Sequence, residues 1–346
     1  MSNESSVAST VESSIFARGI EFHSKGIAAL DNIAYGERPM KDAVLTAVVA
    51  GIEPVLLAGT PGGAKSLVIM NIHRLIEGIK EENIAVLPPD ASLQPIEMVG
   101  GRIQTTKEFK GKDTEYSETV SSEVEGLIKS TTQVILADEA TRINPYTLNS
   151  MLAAAAEKEL KTKSGVVPLS DLLLMATSLN PAESQQATFR LTNAMASRHT
   201  VGAIVGENVS DVEALKMAND IFPNPELVKP IATIEELLQM RRDLGSILLS
   251  ETVGMRLVKV ARASNEVLSA APLRFNEGGR KFRQLGRVTR IQALFDGIIP
   301  SDKHVDKALG MYVAARLGAL SSQPNLDQAV QTTVDKILTH AKNSRD

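Results

Sequence analysis

Pro54-Val55-Leu56-Leu57-Ala58-Gly59-Thr60-Pro61-Gly62-Gly63-Ala64-Lys65-Ser66 is the stretch that decides the fold. Its first five residues are an apolar run of strand length, and the next eight are a glycine-rich turn that closes in Lys-Ser. After the turn, Val68, Ile72, Leu75, Ile76 and Ile79 fall on one helical face, which predicts a helix over 66–80. Strand, glycine loop and helix in that order form a phosphate cradle. Backbone N–H groups of Gly59, Gly62, Gly63 and Ala64 face phosphate oxygens, and the helix N-terminus adds its positive end. Lys65 would then reach the β- and γ-phosphates, and the Ser66 hydroxyl would ligate magnesium. The consensus places glycine where this chain has Ala64. A glycine-rich strand–helix turn with a surface lysine is the plain alternative.

Working outward, further apolar runs of strand length stand at 84–87, 134–137, 172–176 and 201–205, with helical stretches between them. One such helix covers 146–160, with Leu148, Met151, Leu152 and Ala155 on one face. Strands alternating with helices predict a parallel sheet covered on both faces. Upstream, 15–51 reads as helical with a break near Tyr35-Gly36, and 1–14 is a Ser-rich flexible tail. Beyond Val205 the strand runs stop. Pro223, Pro225 and Pro230 punctuate a linker over 206–232, and Thr233-Ile234-Glu235-Glu236 is a capping box opening a helix. Helical patterns continue over 250–268, 278–296 and 302–320. The expected plan is an α/β core over 15–205, with a five-stranded parallel sheet between helices, followed by an all-helical lid domain over 233–346.

The run 134–137 ends in Asp138-Glu139. Ligands of open parallel sheets bind outside the carboxyl ends of the strands. There Asp138 can hold the magnesium shell and Glu139 can polarise the attacking water. A third strand ends in Asn180-Pro181, and an amide there can orient the water or touch the γ-phosphate. Solvated acids at a strand end and an Asn-Pro turn are the bland readings of the same residues.

These three elements in this order, with a helical domain behind them, resemble the AAA+ ATPases, and the MoxR branch in particular. The loop closing in Ala-Lys-Ser, the arginine three residues after the Asp-Glu pair (Arg142) and the Asn-Pro sensor strand are MoxR-like. The resemblance covers about 30–320. It implies ATP/ADP and Mg²⁺ as ligands and a hexameric ring with ATP between subunits. It implies that Tyr35-Gly36-Glu37 lines the adenine pocket, with Gly36 among the nucleotide-binding residues. Asn180 would be sensor 1, Arg198 the arginine finger acting on the neighbour's nucleotide, and Arg280 the sensor 2 arginine acting in cis from the lid. The usual Asp-Arg-Phe of the finger is here Ser197-Arg198-His199. The family's role is chaperone-like remodelling of a client, often one with a von Willebrand factor A domain.

Composition sets the outer bounds. The 346 residues are 43% hydrophobic and 23% charged, a soluble globular profile of about two domains. With no cysteine, thiolate zinc sites, disulfides and cysteine nucleophiles are excluded. A net charge of −4 gives no general attraction to nucleic acid. The N-terminus lacks the pattern of a signal peptide and no run reaches a membrane span, so a cytoplasmic protein is expected. Five scattered histidines show no ligand spacing.

Weaker signals remain. Residues 157–169 predict a hairpin turning near Ser164-Gly165, with Lys158, Lys161 and Lys163 either presented to a pore or merely solvated. Residues 92–118 correspond to the branch's helix-2 insert, a charged surface. Arg274, Arg280, Lys281, Arg283, Arg287 and Arg290 read mainly as a solvated helix face. Against the remodelling ATPase stand two alternatives, an ATP-driven nucleic-acid motor and a nucleotide-gated scaffold without hydrolysis.

Overall fold

The computed structural model describes residues 2–344 except 52–53, 95–96, 99, 111–114, 125, 163–164, 182–188, 190, 207–208, 271–274, 276–277 and 321–324. Helices α1 (Ser2–Asp31) and α2 (Arg38–Ala50) lead into β1 (Val55–Gly59) and α3 (Lys65–Asn71). Then come β2 (Ile76–Glu77), β3 (Ile84–Leu87), the pair β4 (Gly101–Lys110) and β5 (Glu115–Val124), β6 (Val134–Ala137) and α4 (Pro145–Glu157). The core closes with β7 (Glu159–Thr162), β8 (Gly165–Pro168), β9 (Leu174–Leu179), α5 (Asn193–Ala196) and β10 (Val201–Val205). The rest is α6 (Asp211–Ala218), β11 (Ala232–Thr233), α7 (Ile234–Asp243), α8 (Glu251–Ser269), α9 (Arg280–Asp296), α10 (Asp302–Leu320) and α11 (Leu326–Asn343).

The five apolar runs form one parallel sheet in the order β10-β1-β9-β6-β3. Every residue of β1, β6, β9 and β10 is buried, as strands covered on both faces require. The edge strand β3 alternates and exposes Val86. This order puts β1, β9 and β6 side by side. The phosphate loop, Asn180 and the Asp138-Glu139 pair therefore emerge at the carboxyl ends of three neighbouring strands.

The helix expected over 66–80 is shorter. It ends at Asn71, passes through a 3-10 turn (Ile72–Leu75) and becomes β2. Leu75 and Ile76 stay buried, but their backbone is caught by a parallel pairing of β2 with β11, and the Ile231 N–H donates to the Leu75 carbonyl at 2.8 Å. Gly78 follows at φ 95°, where a helix cannot continue. The hairpin read from 157–169 is present as antiparallel β7–β8, its turn residues 163–164 lying outside the described residues. The insert over 92–118, read only as charged surface, holds β4 and the start of β5, whose ten-residue antiparallel pairing runs on to Val124.

C-terminal helices follow the expected pattern, and the Thr233–Glu236 capping box is formed, Thr233 Oγ1 accepting from Glu236 N at 3.1 Å and Glu236 Oε2 from Thr233 N at 2.8 Å. They do not stand apart from the sheet. A Cβ built on Gly202 would lie 2.6 Å from Ala315 Cα, and one on Gly318 would lie 2.7 Å from Ala58 Cβ. Helix α10 thus backs β10 and β1 directly. At the other end, α1 is helical from Ser2, including most of the stretch expected as a tail. It packs on α9 through Gly19 against Leu294 and through Phe22 stacked with Phe295. Among the described residues no helix is long and apolar enough to cross a membrane.

Candidate active site

The phosphate loop is set by backbone geometry. Gly59 has β10 against it: an added Cβ would meet the Val205 carbonyl oxygen at 1.8 Å. Gly62 (φ 87°) and Ala64 (φ 58°) both lie in the left-handed region, Ala64 as the N-cap of α3. Lys65 is buried, and its Nζ donates to the Thr60 carbonyl at 2.5 Å, folding the ammonium back over the loop that a phosphate would occupy.

Opposite the loop, Asp138 gathers the strand ends. Its Oδ1 accepts from Ser66 Oγ at 2.8 Å, from the hydroxyl of Ser178 and from Glu139 N at 3.1 Å. Ser178 was missed by the sequence reading. It sits beside Asp138 because β9 runs next to β6 with Thr177 opposite Ala137, and its Oγ also accepts from Glu139 N at 3.0 Å. Glu139 itself has φ 46° and opens a 3-10 turn, Ala140–Arg142. Such a turn eclipses residues three apart, which brings Arg142 Nε to 2.7 Å from Glu139 Oε2. The other oxygen, Oε1, accepts from Asn180 Nδ2 at 3.4 Å. Asn180 is 6% exposed, and its buried Oδ1 has no partner among the described residues. The Glu139 carboxylate is therefore held on both oxygens, by Arg142 on one and by Asn180 on the other.

Beside the loop lies a cavity of about 590 Å³ lined by Tyr35, Glu37, Pro61 to Ala64, Leu67, Gly206, Val209, Met217, Phe222 and Pro223. Of the expected Tyr35-Gly36-Glu37 segment, Tyr35 and Glu37 line the cavity and Gly36 does not. The opposite wall is the stretch read as a linker, which holds α6 and two carboxylate ties. Glu37, buried at φ 52°, accepts from Gly206 N at 3.1 Å. Glu213 caps α6 through Ser210 and accepts from Gly36 N at 2.8 Å; bonds from Ser210 and Gly36 take its carboxyl down to about 2. No apolar period marks this wall, so a scan for repeating apolar positions passes over it.

Arg198 and Arg280 come together elsewhere. With Asn193, Ala194, Ser197, Gly278 and Gly279 they line one groove, and neither lines the cavity at the loop. Arg198 donates to Asn149 Oδ1 at 3.3 Å and to the Ala194 carbonyl at 2.8 Å. Partial burial and the neighbouring Arg280 both depress its pKa. Sequence resemblance had placed Arg280 in cis over the phosphates; the described residues place it beside the finger candidate instead.

Comparison with known proteins now bears on this geometry. Residues 54–201, which run from the phosphate loop to the start of β10, match the family described as ATPase family associated with various cellular activities (AAA). The matched stretch holds the phosphate loop, Asp138, Glu139 and Asn180, and ATP hydrolysis is the reaction that this match supports. The fold is shared with the solved structure of a candidate ATPase from Cytophaga hutchinsonii, at a TM-score of 0.66 and 18% identity over 92% of this chain and 96% of that one. The uncharacterized protein YeaC of Bacillus subtilis is 21% identical over 244 residues, 70% of either chain.

Several secondary signals of the core and of the helical region resolve differently from their sequence-based expectations. Lys158 is not presented to a pore: it caps α4 at φ 59°, and its Nζ donates to the Leu172 carbonyl. Burial, then Arg241 and Arg287, lower its pKa to about 8. Lys161 is exposed and paired with Glu157 and Glu159, while Lys163 and Arg274 lie outside the described residues. The basic run on α9 is not one solvated face. Lys281 is buried, and Arg290 donates to the Ile247 carbonyl at 2.8 Å.

Proposed function

We propose that this chain is a MoxR-like ATPase that converts ATP to ADP and phosphate at the subunit interfaces of a homo-oligomeric ring, a hexamer on the family's pattern. The cycle remodels or matures a partner protein in a chaperone-like role. The observation that carries the ring is the separation of the two halves of the site. The loop, Asp138, Glu139 and Asn180 form one face, while Arg198 and Arg280 share a groove that is not on the cavity. Two guanidiniums held side by side favour an anion between them, and the anion available to a ring is the phosphoryl group in the neighbour's site.

In this reading Lys65 leaves the Thr60 carbonyl for the β- and γ-phosphates. Glu139 takes the proton of the attacking water, which Asn180 helps to orient, while Arg142 keeps the carboxylate fixed through Oε2. The water oxygen bonds to the γ-phosphorus, the bond to the β–γ bridging oxygen breaks, and that oxygen leaves on ADP. Arg198 and Arg280 of the adjoining copy balance charge on the transferring oxygens. Ser66 and Asp138 would hold Mg²⁺. Their side-chain oxygens lie 2.8 Å apart in a hard-oxygen set that suits this ion, which supplies charge neutralisation on the phosphates.

The test is ATPase rate per protomer against protein concentration, with Arg198→Ala beside wild type. A rate that climbs with assembly, and is lost in Arg198→Ala with nucleotide binding intact, supports the shared site. A flat rate across the range of measured assembly, unaffected by Arg198→Ala, overturns it.

A further inference from the structure

Arg316 is the largest fully buried side chain in the described structure. It lies on α10 with its guanidinium carbon 4.1 Å from the Tyr312 ring centroid and 5.2 Å from that of Phe275. Its donors go to the His199 carbonyl and, at 3.2 Å, to Gln284 Oε1 on α9. Gln284 in turn donates through Nε2 to the Ser197 carbonyl at 3.2 Å. Ser197 and His199 are the two residues flanking Arg198. One hydrogen-bonded pair from two helices therefore holds the backbone on both sides of the finger candidate. Arg280 opens the same helix that carries Gln284, one turn earlier.

The third anchor is the sensor strand. The buried His199 ring contacts Thr177 Oγ1 through Nε2 at 2.9 Å and the Met195 carbonyl through Nδ1 at 3.1 Å. Thr177 Oγ1 also donates to the Val55 carbonyl at 2.9 Å, so the His199 ring is tied through it to β1 as well as to β9. Full burial keeps the ring neutral, its pKa pushed down to about 3. Thr177 stands three residues before Asn180 on β9.

We propose that Arg316 and Gln284 are positioning residues for Arg198: they fix the two carbonyls that flank it, so that the C-terminal helices aim the guanidinium offered to the neighbouring subunit's nucleotide. This rests on the ring reading above. A buried guanidinium is costly to build, and a plain packing role would be filled by a leucine or methionine. What a guanidinium adds is a rigid set of donors that bonds the His199 carbonyl and Gln284 together. Displacing a catalytic group by about 1 Å costs on the order of 10²-fold in rate.

The experiment is complementation between mixed subunits. Lys65→Ala subunits have a disabled loop but an intact finger; Arg198→Ala subunits have the reverse. On the ring reading, mixing them restores ATPase activity at the junctions where an intact loop meets an intact finger. If that pair gives no activity, the ring reading itself falls and the inference falls with it. With that pair active, Arg316→Lys is added to the Lys65→Ala subunit. The expected result is at least a 10-fold loss of complemented activity. Arg316→Lys alone should keep its fluorescent-nucleotide affinity within about twofold, because its own loop is untouched. Full complementation by the Lys65→Ala/Arg316→Lys subunit would overturn the inference and leave the ring standing. Should Arg316→Lys fail to fold, Lys65→Ala/Gln284→Leu decides the matter by the same reading.

Discussion

Ala64 and Gly62 hold the phosphate loop in the same left-handed region at different cost. At φ 58° an alanine carries about 1–2 kcal/mol of strain, whereas Gly62 at φ 87° carries none. Ala64→Gly should therefore stabilise the protein, by the relief less the about 0.4–1 kcal/mol of extra freedom that glycine gives the unfolded chain. Gly62→Ala should destabilise it by about 1 kcal/mol. No atom lies within 4 Å of the added Cβ, so the loss is all backbone. Melts without nucleotide give the two signs, and equal signs would refute the argument. Glu139→Gln should keep nucleotide affinity while turnover falls on the order of 10²–10⁴-fold, measured as single-turnover hydrolysis. At this scale the sequence was most legible where residues are neighbours along the chain: the loop and the Asp138-Glu139 pair could be read directly. Ser178 could not, because its place at Asp138 depends on which strand lies next to β6. The grouping of Arg280 with Arg198 depends on how α9 docks, which local pattern does not carry.

The hairpin β7–β8 starts from a strained cap, and that junction has its own pH signature. Lys158 titrates at about 8 in the folded protein against an ordinary 10.5. Below pH 8 it is charged in both states, and its burial penalty is present in full. Between pH 8 and 10.5 the folded chain sheds the proton first, so stability rises with pH through this window. The stability of Lys158→Met relative to wild type should thus fall by at most about 3 kcal/mol from pH 7.5 to 10.5, less wherever water reaches the ammonium. Denaturant midpoints of the two proteins across that range check it; a constant difference would mean the ammonium is not desolvated. Elements with a clean period or a cap signal, such as β1, β6, α4, α8 and the Thr233 box, were legible in advance. Helix α3 was overread because Leu75 and Ile76 satisfy a helical face and a buried strand equally well. Only the pairing with β11, some 155 residues away, chooses between them.

Across the whole molecule, the separation into an α/β core and a helical follower describes the chain order better than the packing. Gly202 faces the backbone of α10, and Gly318 faces β1. Gly202→Val should destabilise the protein by about 1–3 kcal/mol through overpacking against Ala315, and more if α10 cannot shift. Sheet and helices should also melt in one calorimetric transition; two resolved transitions would refute the joint core. The close approach at these two glycines also limits how such proteins can be recombined. A chimera that exchanges the segment after β10 with a relative's would bring in a new helix against an old sheet. It would succeed only where the donor also carries residues small enough to sit opposite Ala315 and Ala58. The heritable module is then not a domain bounded by a linker but a sheet face together with the helix that touches it, and the crossover point belongs before β1 or after α11.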